Sequence, residues 1–191
     1  MGITPEEIIS FWQDEVGPDG WYKNDPALDQ EIRDRFLDFW HDARAGLYDS
    51  WSGNAKGTLA LLIAIDQFPR NMFRGSGDSF ATDHKARCIA KRAIFMEFDK
   101  KYPEPMRQFF YLPLMHSEVL ADQDTCMRMF TLNMTGEDRL LHPRAHRAVI
   151  RKFGRFPYRN KAMGRASTPA ELDYVAAGGY AVTLKELQVK A

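Results

Sequence analysis

Two short stretches of this 191-residue chain repeat an unusual set of polar residues. Asp66–Gly75 and Phe153–Arg165 each contain Phe-Pro, then Arg-Asn, and then a further arginine beside a glycine. Arginine presents a planar, permanently charged fork that matches carboxylate and phosphate groups. We therefore predict that these two stretches, the first and second arginine motifs, face each other across a polar site for a small anionic ligand. The predicted ligand-binding residues are Gln67, Arg70, Asn71, Arg74, Gln123, Arg155, Arg159, Asn160 and Arg165.

The same arginines also have a structural interpretation, in which they bind carbonyl groups and acidic side chains at helix ends. Asp66 follows the apolar run Leu59–Ile65, on the face of Leu62 and Ile63. A buried carboxylate is costly unless a cation or several N–H donors accompany it. Asp66 is therefore predicted to be a structural counter-ion, and Asp122 is given the same role. This interpretation stays open beside the ligand site.

A second candidate site surrounds His116. Glu118 follows two residues later, and Asp122 and Gln123 follow on the next predicted helix turn. Glu118 and Asp122 are four residues apart, a like-charge pair that repels unless a cation lies near it. His116 and Glu118 are weak candidates for catalytic acid–base work. A purely structural polar network joining helices is the alternative.

Metal and nucleic-acid sites are weaker interpretations. His142 and His146 have a spacing of four residues that can chelate a metal, but no His-Glu-x-x-His motif is present. Residues 139–170 hold nine Lys/Arg and no acid, and residues 1–50 hold twelve Asp/Glu against four Lys/Arg. The net charge of zero argues against nucleic acid as a partner. We predict no metal, no cofactor and no nucleic-acid partner.

The pattern along the chain predicts an all-α protein of about seven helices. Thr4-Pro5 and Thr168-Pro169 are each followed by a glutamate at the position of a capping box, which indicates a helix start. Asp25-Pro26 indicates the start of a helix near 25–46, and a helix near 57–66 is expected to stop at Pro69. The other helices are expected near 78–98, 115–133 and 138–153, and no stretch alternates as a strand does. We predict one domain over residues 1–177 and a C-terminal tail over 178–191, which is either a short helix from Tyr180 onward or disordered.

The motifs together resemble a bacterial family known as domain of unknown function 924. The resemblance lies in residues 57–83, 111–123 and 153–171 and extends over about 8–177. It implies antiparallel helical hairpins in a compact tetratricopeptide-like superhelix, and it implies no activity. Relatives commonly place histidine where this chain has Tyr158, so a role that needs an imidazole there is in doubt.

The remaining features are those of a soluble protein. Hydrophobic residues make up 45% of the chain, enough for a globular core, yet the longest apolar run is too short for a membrane span. The N-terminus lacks the pattern of a signal peptide, so a cytoplasmic location is predicted. Cys88 and Cys126 are not in a metal-binding spacing and are predicted to be buried thiols.

Three functions follow from these residues. The first is binding of a small anionic ligand by the arginine motifs. The second is a scaffold that binds a protein or peptide and uses the motifs only as structural supports. The third is a hydrolase-like enzyme that uses His116 and Glu118. The oligomeric state is not predicted.

Overall fold

The computed structural model describes residues 2–189, and they form two compact units. The first extends to Pro113 and the second begins at Leu114. The sequence predicted a single domain over 1–177, and that grouping stays a prediction. Each unit is described in turn.

Four helices form the first unit. Helix α1 (5–16) ends in a π-helical turn, Phe11–Val16, and α3 (55–72) passes through another, Ile63–Gln67. Gly17, with φ of 67° and ψ of 172°, separates α1 from a short helical turn, Gly17–Gly20. Helices α2 (Pro26–Ala45) and α4 (Asp83–Phe95) are regular. The phenyl rings of Phe11, Phe36 and Phe68 meet with centroids 4.8 to 5.9 Å apart, so α1, α2 and α3 share an aromatic core.

The helix starts follow the predicted capping chemistry. Thr4 and Glu7 form a capping box at α1, and the Asp25 carboxylate accepts hydrogen bonds from two backbone N–H groups at the start of α2. Gly46 ends α2 with φ of 101°, a left-handed conformation that glycine adopts without a steric penalty. Local side-chain chemistry therefore sets these ends.

Helix α3 continues beyond the point where the sequence predicts its end. Pro69 has no N–H to donate to the carbonyl of Ile65, four residues earlier. The hydroxyl of Thr82 donates to that carbonyl, and the Thr82 oxygen also accepts a hydrogen bond from Trp40 Nε1 at 3.4 Å. The π-helical turn and this side-chain donor allow the chain to pass through Pro69 to Met72.

The second unit contains helices α6 (Leu120–Asn133), α7 (Leu141–Phe153), α8 (Pro169–Ala176) and α9 (Tyr180–Gln188). A single helical turn, α5 (Leu112–Met115), precedes them. Helix α7 packs against both α6 and α9. Its residues Val149 and Ile150 join Phe156 and Tyr174 in a small hydrophobic core.

The all-α prediction is confirmed, because residues 2–189 contain helices and no strand. The predicted number is wrong: these residues form nine helical segments rather than about seven. The additional ones are α5 and α9, and α9 lies within the predicted tail 178–191, for which a short helix was one of the two alternatives. Short helices such as these depend on tertiary packing, which sequence periodicity does not report. The tetratricopeptide-like superhelix stays a prediction.

Two further predictions concern the cysteines and the membrane. Cys126 is buried as predicted, and burial raises the pKa of its thiol, but Cys88 is exposed, so the prediction of a second buried thiol is wrong. Among the described residues, no helix is both long and apolar enough to cross a membrane. The cytoplasmic location stays a prediction.

Candidate functional site

In the first arginine motif, Arg70 is bound by acids and carbonyls of its own unit. Asp66 is 1% exposed, and its carboxylate lies 3.4 Å from Arg70 Nη2 and accepts a 2.6 Å hydrogen bond from Gln67 Nε2. The same Arg70 nitrogen donates to Asp83 at 3.0 Å, and Nη1 donates to the Asp66 and Ser79 carbonyls. These contacts are those expected of a structural counter-ion.

Arg74 and Asn71 converge on another acid. Arg74 donates to the Asp29 carboxylate from Nε and, at 2.9 Å, from Nη2. The Asn71 amide donates to Asp29 at 2.8 Å. Asp29 lies on α2, so this part of the motif holds α3 against α2.

In the second motif, Arg155 forms a fork-to-fork ion pair with Glu171. Its Nε and Nη2 atoms donate at 2.6 and 2.7 Å to the two carboxylate oxygens. Glu171 also accepts from the backbone N–H of Thr168 in the capping box of α8. Arg155 and the Thr168 N–H lower the pKa of Glu171 to about 2.

Arg165 binds Glu118 in the same manner. Its Nη1 and Nη2 atoms donate to the two Glu118 oxygens at 2.6 and 2.9 Å, and the backbone N–H of Phe156 donates to Glu118 at 2.8 Å. Burial raises the pKa of Glu118, whereas the hydrogen bonds from Arg165 and the Phe156 N–H lower it. The lowering effects together are larger, so the pKa lies below its usual value. Arg165 Nε also donates to the side-chain amide oxygen of Asn160 at 3.0 Å. These contacts favour a structural role for Glu118 over the predicted catalytic one.

Asp122 and Gln123 hold the turn that precedes α6. The Asp122 carboxylate accepts a 2.7 Å hydrogen bond from the Ser117 hydroxyl. The Gln123 amide donates at 2.6 Å to the carbonyls of both Met115 and Ser117. These side chains fix the backbone on either side of His116.

A group of imidazole and phenol rings surrounds His116 in the second unit. We call it the histidine–tyrosine cluster, and it consists of His116, His142, His146, Tyr158 and Tyr180. The ring centroids of His116 and His146 are 6.2 Å apart, those of His146 and Tyr180 are 4.7 Å apart, and those of Tyr158 and Tyr180 are 6.2 Å apart. His142 and Tyr158 are exposed and the other three are partly exposed, so the cluster reaches solvent.

Hydrogen bonds define the protonation of His146 in this cluster. Its Nδ1 atom lies 2.9 Å from the carbonyl oxygen of His142 and 3.0 Å from the hydroxyl of Tyr180. A carbonyl only accepts, so Nδ1 carries the proton of the neutral ring. The Tyr180 hydroxyl in turn lies 2.8 Å from His142 Nδ1, so it links the two imidazole rings.

Arg159 brings positive charge to the cluster. It is 6% exposed, and its guanidinium carbon lies 4.5 Å from the centroid of Phe156, whose ring is 5.5 Å from that of His146. Burial, assisted by His116 and Arg159, lowers the pKa of His146 to about 3. His146 is therefore neutral near pH 7.

The structure brings His116 near the ring of His146 and Arg159 near the adjacent ring of Phe156, and both His116 and Arg159 were predicted site residues. His146, Tyr180 and Tyr158 were not predicted to belong to the site. The spacing of His142 and His146 was the available signal, although it was interpreted as metal-binding. Among residues 2–189, no three His, Cys, Asp or Glu side chains are arranged for a metal ion. The two arginine motifs lie in different units, so a site shared by both stays a prediction.

Comparison with known proteins gives the family of the chain. The family model described as bacterial protein of unknown function, DUF924, matches residues 8–179. The chain belongs to this family. It is also similar to the solved structure of a protein of unknown function from Agrobacterium tumefaciens, with 39% identity, a TM-score of 0.85, and coverage of 91% of this chain and 97% of the other. No curated protein matches. Both arginine motifs and most of the histidine–tyrosine cluster lie within the range matched by the family.

Proposed function

We propose that the histidine–tyrosine cluster of the second unit, together with Arg159, binds a small anionic molecule. The observation that carries the proposal is the convergence of His116, His146 and Tyr180, which come from three separate segments, next to Phe156, on whose ring the guanidinium of Arg159 packs. Side chains from distant segments that meet at a solvent-reachable position next to a fixed charge are typical of ligand sites. The proposal narrows the anion site predicted for both motifs to the second unit.

The neighbouring ion pairs support the proposal as positioning elements. Arg155 binds Glu171 and Arg165 binds Glu118, one at each end of the segment that carries Tyr158 and Arg159. A segment held by two bidentate pairs presents its side chains in one geometry, which lowers the entropy cost of binding. These two arginines therefore act on the ligand through the backbone, and Arg159 supplies the charge.

Thermal stability tests the proposal directly. We expect inorganic phosphate and short dicarboxylates, each at 5–10 times its Kd, to raise the melting temperature of the wild type by about 2–5 °C. Arg159→Gln and His116→Ala should remove most of this increase, whereas His84→Ala, an exposed histidine of the first unit, should retain it. If no anion stabilises the wild type more than Arg159→Gln, while both proteins remain helical by circular dichroism, the anion site is rejected.

A scaffold function is the second candidate, and a groove in the second unit favours it. The groove has a volume of about 470 Å³ and lies among α7, α8 and α9, with Val149, Phe153, Tyr174 and Val182 in its lining. A tetratricopeptide-like arrangement would bind a peptide in such a groove. Val182→Glu would then remove peptide binding and leave the anion-induced melting shift unchanged, so one variant separates the two functions.

A further inference from the structure

The hydrogen bonds of His146 determine what its free nitrogen can do. Nδ1 donates to the His142 carbonyl, one helical turn earlier on α7, and to the Tyr180 hydroxyl. Nε2 has no hydrogen-bond partner among residues 2–189. In the neutral ring with the proton on Nδ1, Nε2 carries a lone pair and only accepts.

We propose that Nε2 of His146 accepts a hydrogen bond from the bound ligand, so the ligand is a small anion that also carries a hydroxyl group. This inference rests on the proposed anion site and names its ligand class. The anionic group would lie near Arg159 and the hydroxyl near His146. Small hydroxycarboxylates and phosphate esters of polyols share this chemistry.

The ring has little freedom to adopt another state. It meets the edge of Phe156 at 5.5 Å and packs against Tyr180 at 4.7 Å. Rotation of the ring by 180° about its bond to Cβ would replace Nδ1 with a carbon and break both hydrogen bonds. Burial favours the neutral form, which keeps the lone pair on Nε2 available.

A neutral acceptor distinguishes between anions. A protonated histidine would donate to any carboxylate or phosphate, with or without a hydroxyl. The lone pair of Nε2 instead repels an anionic oxygen and gains a bond only from a donor. Sites built to pair with a hydroxyl discriminate strongly against analogues that lack it, because a polar group is then left unpaired.

Tyr180 is a positioning residue in this scheme. Its hydroxyl accepts from His146 Nδ1 and also lies 2.8 Å from His142 Nδ1, so it supports the tautomer of His146. Loss of this hydroxyl leaves the His142 carbonyl as the partner of Nδ1. Tyr180→Phe should therefore weaken the preference for hydroxylated ligands and not abolish it.

Matched ligand pairs test the inference in the full-length protein. Calorimetry would compare malate with succinate, and glycerol 3-phosphate with 1-propyl phosphate, which differ by hydroxyl groups. We expect the hydroxylated member of at least one pair to bind about tenfold more tightly, and the pair that shows it identifies carboxylate or phosphate as the anionic group. His146→Phe, which keeps a ring of similar shape, should reduce the ratio to about one. His84→Ala, an exposed position of the first unit outside the cluster, should preserve the ratio.

Nitrogen NMR of the wild type provides a test that does not depend on any variant. Long-range proton–nitrogen spectra at pH 7 should show His146 neutral, with Nδ1 protonated and Nε2 unprotonated. A proton on Nε2 overturns the inference. Equal affinity within both ligand pairs also overturns it and leaves the anion site intact, whereas absence of binding by all four anions overturns both.

Discussion

Four arginines of the two motifs form ion pairs with carboxylates, and each ion pair lies within one unit. Arg70 and Arg74 bind Asp66, Asp83 and Asp29 in the first unit. Arg155 and Arg165 bind Glu171 and Glu118 in the second. A guanidinium already paired with a carboxylate contributes little to binding an incoming anion, so these contacts favour a structural role for the four arginines over the predicted ligand-binding one.

Glu171 contributes to the pH dependence of the free energy of unfolding at acid pH, and this contribution can be tested. Its pKa in the folded protein is about 2, against about 4.3 in an unfolded chain. Between these values the unfolded state binds a proton that the folded state does not, so the free energy of unfolding falls as pH decreases from about 4.3 toward 2. Glu171→Gln should lower the melting temperature at pH 7 and make the decline below pH 4.3 shallower.

The control for this prediction is Glu137→Gln. Glu137 is exposed and has no ion pair among the described residues. Melting temperatures of the wild type, Glu171→Gln and Glu137→Gln, measured from pH 7 to pH 2.5, provide the comparison. Parallel curves for wild type and Glu171→Gln would contradict the assigned pairing.

The residue types at the site were predictable, and their partners were not. Sequence indicated that Asp66 is buried and needs a cation, and Arg70 at the next turn lies beside it. The pairing of Arg74 with Asp29 joins residues 45 positions apart, and that of Arg165 with Glu118 joins residues 47 apart. Such pairs depend on how helices pack, which local spacing does not encode. Tyr180 was missed for the same reason.

At the scale of elements, α3 and the preceding 3-10 helix, Asp49–Gly53, approach unusually closely. A Cβ atom on Gly57 would lie 2.4 Å from the backbone oxygen of Trp51. Backbone cannot move aside as a flexible side chain can, so Gly57→Ala should destabilise the protein by at least about 2 kcal/mol. Gly53→Ala, where a Cβ meets nothing within 4 Å, should change stability little. Urea unfolding measures both, and equal midpoints would refute the close approach.

The capping box of α8 gives a second prediction about the stability of a helix. Thr168 accepts from the N–H of Glu171, and Glu171 accepts from the N–H of Thr168. Thr168→Ala should cost about 1 kcal/mol of unfolding free energy. Thr131→Ala removes an exposed hydroxyl that donates to the Met127 carbonyl within a helix, and it should be nearly neutral. A cost for Thr131→Ala as large as that for Thr168→Ala would contradict the role of the cap.

Helix starts were more predictable than helix interiors. The Thr-Pro and Asp-Pro signals located the beginnings of α1, α2 and α8, because a cap is a contact between residues two or three positions apart. Pro69 was predicted to end α3, but the helix passes through it. That outcome depends on Thr82, whose position follows from tertiary packing.

At the scale of the whole molecule, the basic stretch 139–170 has acidic partners in its own unit. Arg147 lies 2.5 Å from Asp124, and Arg155 and Arg165 bind Glu171 and Glu118. Because the net charge is zero and these forks are occupied, we expect little retention on a heparin column at about 150 mM salt. Asp124→Asn releases Arg147 and should shift elution to higher salt. Strong retention of the wild type would revive the nucleic-acid interpretation.

The contact between Thr82 and the Ile65 carbonyl has a consequence for the order of folding. Residues 55–65 can form helix from local hydrogen bonds, but beyond them the chain lacks the N–H of Pro69. The missing donor comes from a residue 17 positions away, at the start of α4. The first arginine motif therefore acquires its shape only after α4 has docked. We expect its amides to exchange with solvent deuterium faster than those of 55–62, because undocking of α4 opens the motif first, and we expect Thr82→Val to widen that difference.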